Sequence, residues 1–318
     1  MEELNSDWNG VPIAIETVLI PLITVGNIVV IVTIVTHQHL RKASDILVIN
    51  LATADLCIGL MALPFDMYVI IAQKYFNALL PCFLKEFFWI FSLTSSVQCL
   101  FFISLETYCA IIYPLKHFKF ITTRKAVCAG IFSWSIALFF SVGALIARNE
   151  WEYHASICSF TPTTILIVIH SLYITALILS SAFMYCRVFA ARVKPTVFPF
   201  DIVAMRSRQT HIKKAKTMAI VFFNFLIFWS PAMSYLLYLT VNKHTASSVG
   251  AFKLFTLLAS SNSVNNWIVY MCKREEFRKI ILKFCKRKIR NQNDGLRVAR
   301  NGKIFTVNNS KSRNPTTQ

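Results

Sequence analysis

Seven long apolar stretches, separated by short polar connectors, make up most of the chain. A helix that crosses a bilayer needs roughly 20 mostly apolar residues. Seven stretches meet that length: about 11–36, 45–73, 83–113, 125–147, 162–190, 214–241 and 248–271. The pattern therefore predicts an all-α fold, a bundle of seven transmembrane helices. The longest connector, from about 191 to 216, is basic and is interrupted by Pro195 and Pro199.

The chain changes character after the seventh stretch. In KREEFRKIILKFCKRK, apolar residues recur at helical spacing on one face and basic residues fill the other. That pattern is typical of a short amphipathic helix lying on a membrane surface. The residues beyond it are rich in Asn, Ser, Arg and Lys, as in disordered tails. We expect four parts: an extracellular N-terminus (1–10), a transmembrane domain (11–272), a membrane-surface helix (273–288) and a disordered basic tail (289–318).

Composition supports a membrane protein and weakens a nucleic-acid role. The 318 residues are 55% hydrophobic and 15% charged, and their mean hydropathy is +0.54. A water-soluble domain of that composition would lack the polar surface to cover itself. The net charge of +18 would suggest nucleic acid in a soluble protein. Here the basic residues concentrate in connectors and in the tail, where they attract anionic lipid. We expect membrane lipids, and no nucleic acid, as partners.

The distribution of basic residues predicts the orientation. Of the 33 lysines and arginines, 28 follow the first, third and fifth stretches or lie in the tail. Connectors rich in Lys and Arg stay in the cytoplasm. The N-terminus is therefore expected outside and the C-terminus inside. No basic segment or cleavage site precedes the first stretch, which we interpret as an uncleaved signal anchor.

Short motifs recur along the seven stretches in a fixed order. They are GNIVV with Asn27, NLATADL with Asp55, Cys82 before the third stretch, ETYCAIIYPL, Trp134, Tyr185, FLIFWSP with Trp229, and NSVNNWIVY with Tyr270. Each match alone is weak, but the ordered set resembles the class A (rhodopsin-like) G protein-coupled receptors. The resemblance covers about residues 12–285, and its details lie nearest the amine- and adenosine-like branches.

The resemblance implies a multi-pass receptor of the plasma membrane, not an enzyme. Such a protein would bind a small extracellular ligand and signal through heterotrimeric G proteins, with arrestin as a further partner. Cys82 and Cys158 both fall on the predicted outer side, where a pair of cysteines suggests a disulfide. Cys285, at the edge of the surface helix, is a candidate for palmitoylation, as in many relatives.

Two departures from the family pattern concern coupling to G proteins. Glu106-Thr107-Tyr108 stands where the family has an acid, an arginine and a tyrosine, so the positive charge is missing. Two alternatives are open for Glu106: a lysine from the base of the sixth helix (Lys213, Lys214 or Lys216) approaches it, or its side chain extends to water at the membrane edge. Trp267 replaces a proline of the seventh helix. Together with Tyr185 and Tyr270, the three-residue motif is the expected transducer switch.

These departures leave a second interpretation open. A seven-helix decoy or receptor partner that no longer signals would also tolerate Thr107 and Trp267. A transporter is a less favoured alternative. Transporters tend to show internal repeats and charged residues at the membrane midplane, whereas this chain has no evident repeat and Asp55 is its one clear midplane acid.

Three positions that select ligands in related receptors are altered. Trp89 stands where aminergic receptors have the aspartate that pairs with the ammonium group. Ser260 replaces the lysine that holds retinal in opsins, and Leu236 replaces an asparagine of adenosine receptors. The resemblance therefore argues against classical monoamines, retinal and nucleosides, and the small ligand stays unidentified.

An aromatic pocket with acids at its mouth is the expected ligand site. Its residues are Trp89, Asp66, Glu86, Trp229 and His170. Aromatic rings can hold a cation on their π faces, and Asp66 and Glu86 could meet a cationic group. The alternative is that these acids face interfacial water or pair with Lys74 and Lys85. For His170, the alternative is a hydrogen-bonded structural role.

A cation site is the last feature that the resemblance implies. In the family, the acid at Asp55 anchors a sodium ion with oxygen-bearing residues of the third and seventh helices. The matching positions here are Ser96, Asn262, Ser263 and Asn266. Hard cations take such oxygen ligands. The alternative is a protonated Asp55 in a hydrogen-bonded cluster without an ion. No covalent cofactor is expected.

Overall fold

The protein is a helical bundle. The computed structural model describes residues 3–38, 41–72, 79–146, 164–192, 202–241, 246–275 and 277–280. In these residues all regular structure is helical, which confirms the predicted all-α class. The elements are α1 (Glu3–Thr36), α2 (Ala43–Cys57), a π-helical turn (Ile58–Ala62), α3 (Leu63–Ala72), α4 (Leu79–Ile112), α5 (Pro114–Phe120), α6 (Thr123–Ile146), α7 (Thr164–Arg192), α8 (Ile202–Val241) and α9 (Ala246–Lys273).

Six of the described helical segments are long and apolar enough to cross a membrane. They are Gly10–Thr36, Ala43–Ile71, Leu80–Ile112, Thr123–Ile146, Ile165–Ala191 and Gln209–Tyr238. The seventh predicted span lies in α9, which is more polar. Its buried polar residues are Ser260, Asn262, Ser263 and Asn266. Helix α9 packs against α1, α2 and α8, and these buried polar side chains face the interior of the bundle.

Several helices extend beyond their apolar stretches. Helix α8 begins at Ile202, although the pattern predicted a start near residue 214, and α1 begins at Glu3 instead of near residue 11. The short helix α5, which begins with Pro114, was not predicted. Apolar patterning reports the length inside the membrane, whereas α8 continues beyond it through Ala, Met, Gln, Arg and Lys, which favour helices in water.

Helix α4 is at the centre of the bundle. It packs against α2, α3, α6, α7 and α8, and most of its residues from Phe91 to Leu100 are fully buried. Large apolar side chains on the outer helices are exposed instead, including Ile146 at 77% and Ile165 at 73%. Exposed apolar surface of this extent is unfavourable in water, and it matches a belt that contacts lipid.

A π-helical turn interrupts the second crossing at Ile58–Ala62, three residues after Asp55. Pro64 lies just beyond it, and a proline cannot donate to the preceding turn. The wider turn accommodates that lost hydrogen bond, as π-bulges do, often at functional sites. Gly59 lies within the turn, where a Cβ atom would be 2.9 Å from Ile23 of α1. The turn therefore brings the second crossing close to α1.

The residues from Arg274 onward form a separate unit. Within it, the Arg278 amide donates to the Arg274 carbonyl at 3.2 Å, and the Arg274 guanidinium lies 5.0 Å from the centre of the Phe277 ring. Most of the predicted surface helix and all of the predicted tail lie outside the described residues. Cys285 is among them, so its palmitoylation stays a prediction.

The contact between Gly26 and Trp267 joins α1 to α9. A Cβ atom at Gly26 would be 2.2 Å from the indole nitrogen of Trp267. Only glycine allows this approach. Trp267 is the residue that replaces the family's proline, and α9 is a continuous α-helix through it, from Ala246 to Lys273.

We predict that Gly26→Ala destabilises the bundle by about 1–3 kcal/mol, the usual cost of overpacking. The measurement is the thermal unfolding midpoint of the detergent-solubilised protein. Gly143→Ala is the control, because its new methyl group would be 3.8 Å from Leu166 and alanine favours a helix. Gly26→Ala should cost less in a Trp267→Ala background than in the wild type, because the steric conflict is then absent. Equal midpoints for Gly26→Ala and Gly143→Ala would contradict the tight contact.

Candidate functional site

Asp55 is the acid at the middle of the bundle. Its carboxylate, 1% exposed, accepts a hydrogen bond from Ser263 Oγ at 2.7 Å and another from Asn266 Nδ2 at 2.9 Å. The two donors are one helical turn apart on α9, so they lie on the same face. Asn27 Nδ2 donates to the Ser263 carbonyl at 3.2 Å. Helices α1, α2 and α9 are thus joined around one carboxylate.

Several buried oxygens of the predicted cation set have no hydrogen-bond partner among the described residues. These atoms are Ser96 Oγ, Asn262 Oδ1 and Asn266 Oδ1. Each of these residues is at most 4% exposed. Buried polar atoms are normally paired, and a hard cation takes oxygen ligands together with a carboxylate. The residues around Asp55 therefore fit a small hard cation.

Two tryptophans form the aromatic part of the predicted pocket. Trp89 of α4 and Trp229 of α8 meet edge to face, with ring centres 6.0 Å apart. Phe225 stacks on Trp229 at 5.8 Å. Trp89 also packs against an apolar layer formed by α1, the second crossing and α9, with Leu19, Ile23, Ile58, Leu63 and Leu257 as its core. The aromatic pair thus lies beside this layer.

His170 has different neighbours. Its Nε2 is 2.9 Å from Thr94 Oγ1, and its ring is 4.7 Å from that of Phe140. These contacts tie α7 to α4 and α6 and agree with the structural alternative for this residue. Its predicted role as a wall of the ligand pocket stays a prediction, since the described contacts do not join it to the tryptophans.

Charged residues of four helical segments meet at one end of the bundle, and we call them the ion cluster: Glu16, Asp66, Lys85, Glu86 and Lys253. Lys253 Nζ donates to Glu16 Oε1 at 2.5 Å and also to Asp66 Oδ2. Lys85 Nζ is 3.9 Å from Asp66 and 3.2 Å from Glu86. Lysines of this chain thus pair with both acids that were predicted to meet a ligand cation.

Sequence reasoning anticipated part of the ion cluster. Pairing with Lys85 was one alternative for the two acids, whereas Glu16 and Lys253 were not singled out. Glu16 lies in the first apolar stretch and is 0% exposed. The rule that an acid inside an apolar stretch marks function drew attention to Glu106, and it applies equally to Glu16.

A second set of charges lies at the opposite end of α4. Glu106 is 4% exposed, and Lys214 Nζ of α8 lies 3.3 Å from each of its two oxygens. His117 Nε2 of α5 is 3.3 Å from Glu106 Oε1, and its ring is 5.9 Å from that of His211. Of the three lysines expected to approach Glu106, the structure places Lys214 there.

Thr107 is buried beside this pair. The residue is 3% exposed, and its hydroxyl has no hydrogen-bond partner within the part of the chain that the structure describes. A threonine carries no charge, so it cannot take the place of the family's arginine in an ion pair. The cation next to Glu106 therefore comes from another helix.

The three tyrosines of the predicted switch have separate packing environments. The Tyr108 ring is 5.9 Å from that of Tyr113. Tyr185 is 2% exposed and packs against Phe222 at 5.3 Å. Tyr270 is 1% exposed on α9. Their joint role in coupling stays a prediction.

Two surface clefts lie in the part of the chain that the structure describes. One, of about 420 Å³, lies on the outer face of α6 and is lined by Leu138, Phe139 and Val142 among others. The other, of about 280 Å³, is lined by Cys109, Tyr113, Lys116, His117 and Phe120. The second cleft borders the Glu106 contacts through His117, at an end of the bundle that another protein could reach.

These features define a helical bundle whose helices are long and apolar enough to cross a membrane, and the sequence identifies its family. The profile of the seven-transmembrane receptors of the rhodopsin family matches residues 26–270. That match covers more than half of the chain. The protein therefore belongs to the rhodopsin family of seven-transmembrane receptors, as the motifs indicated.

The similar curated proteins are receptors of the amine-like branch. The alpha-1A adrenergic receptor of Oryzias latipes is 27% identical over 295 residues, covering 80% of this chain and 62% of that receptor. The melatonin receptor type 1A of Ovis aries is 26% identical over 298 residues, covering 87% of this chain and 78% of that receptor. The trace amine-associated receptor 13c of Danio rerio is 29% identical, covering 80% of both. The chain thus spans less than two thirds of the adrenergic relatives' length.

Cys82 is disulfide-bonded and 1% exposed. Cys158, its predicted partner, lies outside the described residues, so the pairing itself stays a prediction. The free cysteines among the described residues are Cys57, Cys99, Cys109, Cys128, Cys186 and Cys272.

We predict that Cys82→Ser and Cys158→Ser each lower the free energy of unfolding by about 2–4 kcal/mol, because each would remove the same disulfide. Thermal unfolding measures the loss, and non-reducing peptide mapping should recover the two cysteines on one cross-linked peptide. Cys128→Ser, at an exposed free thiol, is the control. A Cys82 peptide joined to any other cysteine would disprove the pairing.

Proposed function

We propose that this chain is a plasma-membrane receptor that binds a small extracellular ligand within its helical bundle and signals through heterotrimeric G proteins. The contact that carries the proposal is the Glu106–Lys214 pair, which joins α4 to α8. Family membership supports it, as do relatives whose names are those of adrenergic, melatonin and trace amine receptors. The basic connectors favour a cytoplasmic location for the Glu106 end.

The Glu106–Lys214 pair has the properties of a breakable restraint. Both groups are largely buried, and removing one partner of such a pair leaves an uncompensated charge that costs about 3–5 kcal/mol. Outward movement of α8 would separate Lys214 from Glu106 and expose both to water. The pair therefore favours the arrangement in which α8 lies against α4, and a G protein that binds the open arrangement would compete with it.

A non-signalling decoy or receptor partner is the second candidate. Thr107 favours it, because the buried position lacks the charge that the family's arginine supplies. A chain of this kind would keep its fold and its surface expression. It would activate no G protein, whether the Glu106–Lys214 pair is intact or removed. One experiment therefore separates the two candidates.

We predict that Lys214→Met raises ligand-free G protein activation severalfold at equal surface expression, because it removes the restraint on α8. Activation is measured by nucleotide exchange in membranes across the G protein classes. Lys213→Met is the control, since Lys213 is an exposed neighbour on the same helix. The double variant Glu106→Lys/Lys214→Glu swaps the two charges and restores the ion pair, so its ligand-free activation should return to the wild-type level. Absence of activation in every variant would favour the non-signalling candidate.

We further propose that the cluster around Asp55 binds a sodium ion. The residues that would hold it are Asp55, Ser96, Asn262, Ser263 and Asn266. Their burial, and the three oxygens without partners, support this assignment. A bound cation would neutralise the carboxylate in a site that water does not reach, which lowers the cost of burying it. Asn27 would hold α1 against this cluster through its bond to the Ser263 carbonyl.

We predict that sodium chloride raises the thermal unfolding midpoint relative to choline chloride at equal ionic strength, because a ligand of the folded state stabilises it. Asp55→Asn should abolish the difference. Asn265→Ala is the control on the same helix, since its amide donates within α9, to the Ser261 carbonyl at 3.3 Å, and not to Asp55. An equal sodium response in wild type and Asp55→Asn would mean that the ion binds elsewhere.

A further inference from the structure

Glu16 is a buried acid that the proposed mechanism does not yet use. Its residue exposure is 0%. Oε1 accepts from Lys253 at 2.5 Å, whereas Oε2 has no hydrogen-bond partner among the described residues. A buried carboxylate with one unpaired oxygen is costly unless something else binds it. One ammonium group therefore satisfies this site only in part.

The second carboxylate of the site is Asp66, which shares Lys253 with Glu16. Asp66 is 6% exposed. Three helical segments thus supply two nearly buried acids and one lysine that bridges them. The Lys253 side chain retains 19% exposure, so this lysine is the member of the three that is open to replacement from outside.

An apolar layer lies one helical turn below the bridged acids. Leu19, Leu63 and Leu257 belong to this layer, and each is one turn along its helix from Glu16, Asp66 and Lys253 respectively. Trp89 packs against the same layer and contacts Trp229 at 6.0 Å. The acids and the aromatic pair therefore border one apolar surface.

This arrangement defines a ligand by its chemistry. We propose that Glu16 and Asp66 bind the primary ammonium group of an arylalkylamine, whose ring lies toward Trp89, and that Lys253 occupies the site until the ligand displaces it. A lysine side chain is itself an alkylammonium, so it reproduces the charge and donors of the ligand. The site belongs to α1, α3 and α9, away from the α4 position where aminergic receptors carry their aspartate.

Glu86 is the competing acid at this end of the bundle. Its side chain is 31% exposed and pairs with Lys85 at 3.2 Å. Its charge is the most water-accessible of the three acids, so salt screens it more than it screens Glu16 or Asp66. The buried acids form the stronger site because their charges lie in a medium of low polarity. This inference names the ligand class of the proposed receptor and rests on that function.

The first test measures binding to the purified full chain in lipid nanodiscs. The probe is 2-phenylethylamine, and 2-phenylethanol is its uncharged match. Wild type should bind the amine and not the alcohol. Lys253→Ala should bind the amine about tenfold more tightly, a change of about 1.4 kcal/mol, because the internal competitor is gone. Lys125→Ala, an exposed lysine on α6, is the control and should bind as wild type does.

Substitution of the two buried acids should lower the affinity for the amine, the opposite of the effect of Lys253→Ala. Glu16→Gln and Asp66→Asn should each weaken amine binding by tenfold or more, whereas Glu86→Gln should change it by much less. A loss with Glu86→Gln that equals the loss with Glu16→Gln would place the ammonium at Glu86 and overturn the proposal. The proposal would also be overturned if Lys253→Ala bound the amine no more tightly than the wild type does.

A rescue experiment covers variants that fold poorly. Lys253→Ala removes the atoms of a propylammonium group, so the variant should have a lower thermal unfolding midpoint. Millimolar propylamine should raise that midpoint, and propanol should not. The rescue should vanish when Glu16→Gln is added. No rescue by propylamine would contradict an ammonium site between Glu16 and Asp66.

These binding tests are independent of G protein activation. A chain that activates G proteins after Lys214→Met but binds no amine would retain the proposed function and lose this inference. A chain that binds the amine at Glu16 and Asp66 but activates no G protein in any variant would keep the site and lose the signalling role.

Discussion

The need to satisfy polar groups inside an apolar bundle governs this structure. Lipid offers no hydrogen bonds at mid-membrane, so a buried donor or acceptor is costly unless the protein or a bound ligand pairs with it. Asp55 shows the consequence: Ser263 and Asn266 turn their polar atoms toward it, and Asn27 completes the link to α1. Because these polar residues make α9 the least apolar crossing, its place in the bundle depends on the same contacts.

Two further charge clusters lie at opposite ends of the bundle, and α4 reaches both. At one end Glu106 of α4 meets Lys214 of α8. At the other, Lys85 and Glu86 of α4 border the buried acids that Lys253 bridges. Between them, Trp89 of α4 contacts Trp229 of α8. A change at the ligand end could thus reach the Glu106 end through the contact of α4 with α8, without a separate relay.

The sequence predicted those features that depend on local pattern. Apolar length identified the crossings, and an acid in an apolar stretch identified Asp55 and Glu106. Patterning did not locate the start of α8, because helix formation continues past the membrane. It also missed the bridging of Glu16 and Asp66 by Lys253, since those residues are far apart in the chain and only helix packing brings them together. The choice of Lys214 among three neighbouring lysines likewise required the relative rotation of α4 and α8.

The departures from the family pattern are each matched by a second residue of this chain. Trp267 adds a large side chain where the family has a proline, and Gly26 leaves room for its indole on α1. Thr107 removes a positive charge beside Glu106, and Lys214 supplies one from α8. Gly26 belongs to the GNIVV motif that resembles the family, so the indole of Trp267 uses space that this motif already leaves on α1. Both departures thus fit contacts that join helices: α1 with α9 at Trp267, and α4 with α8 beside Thr107.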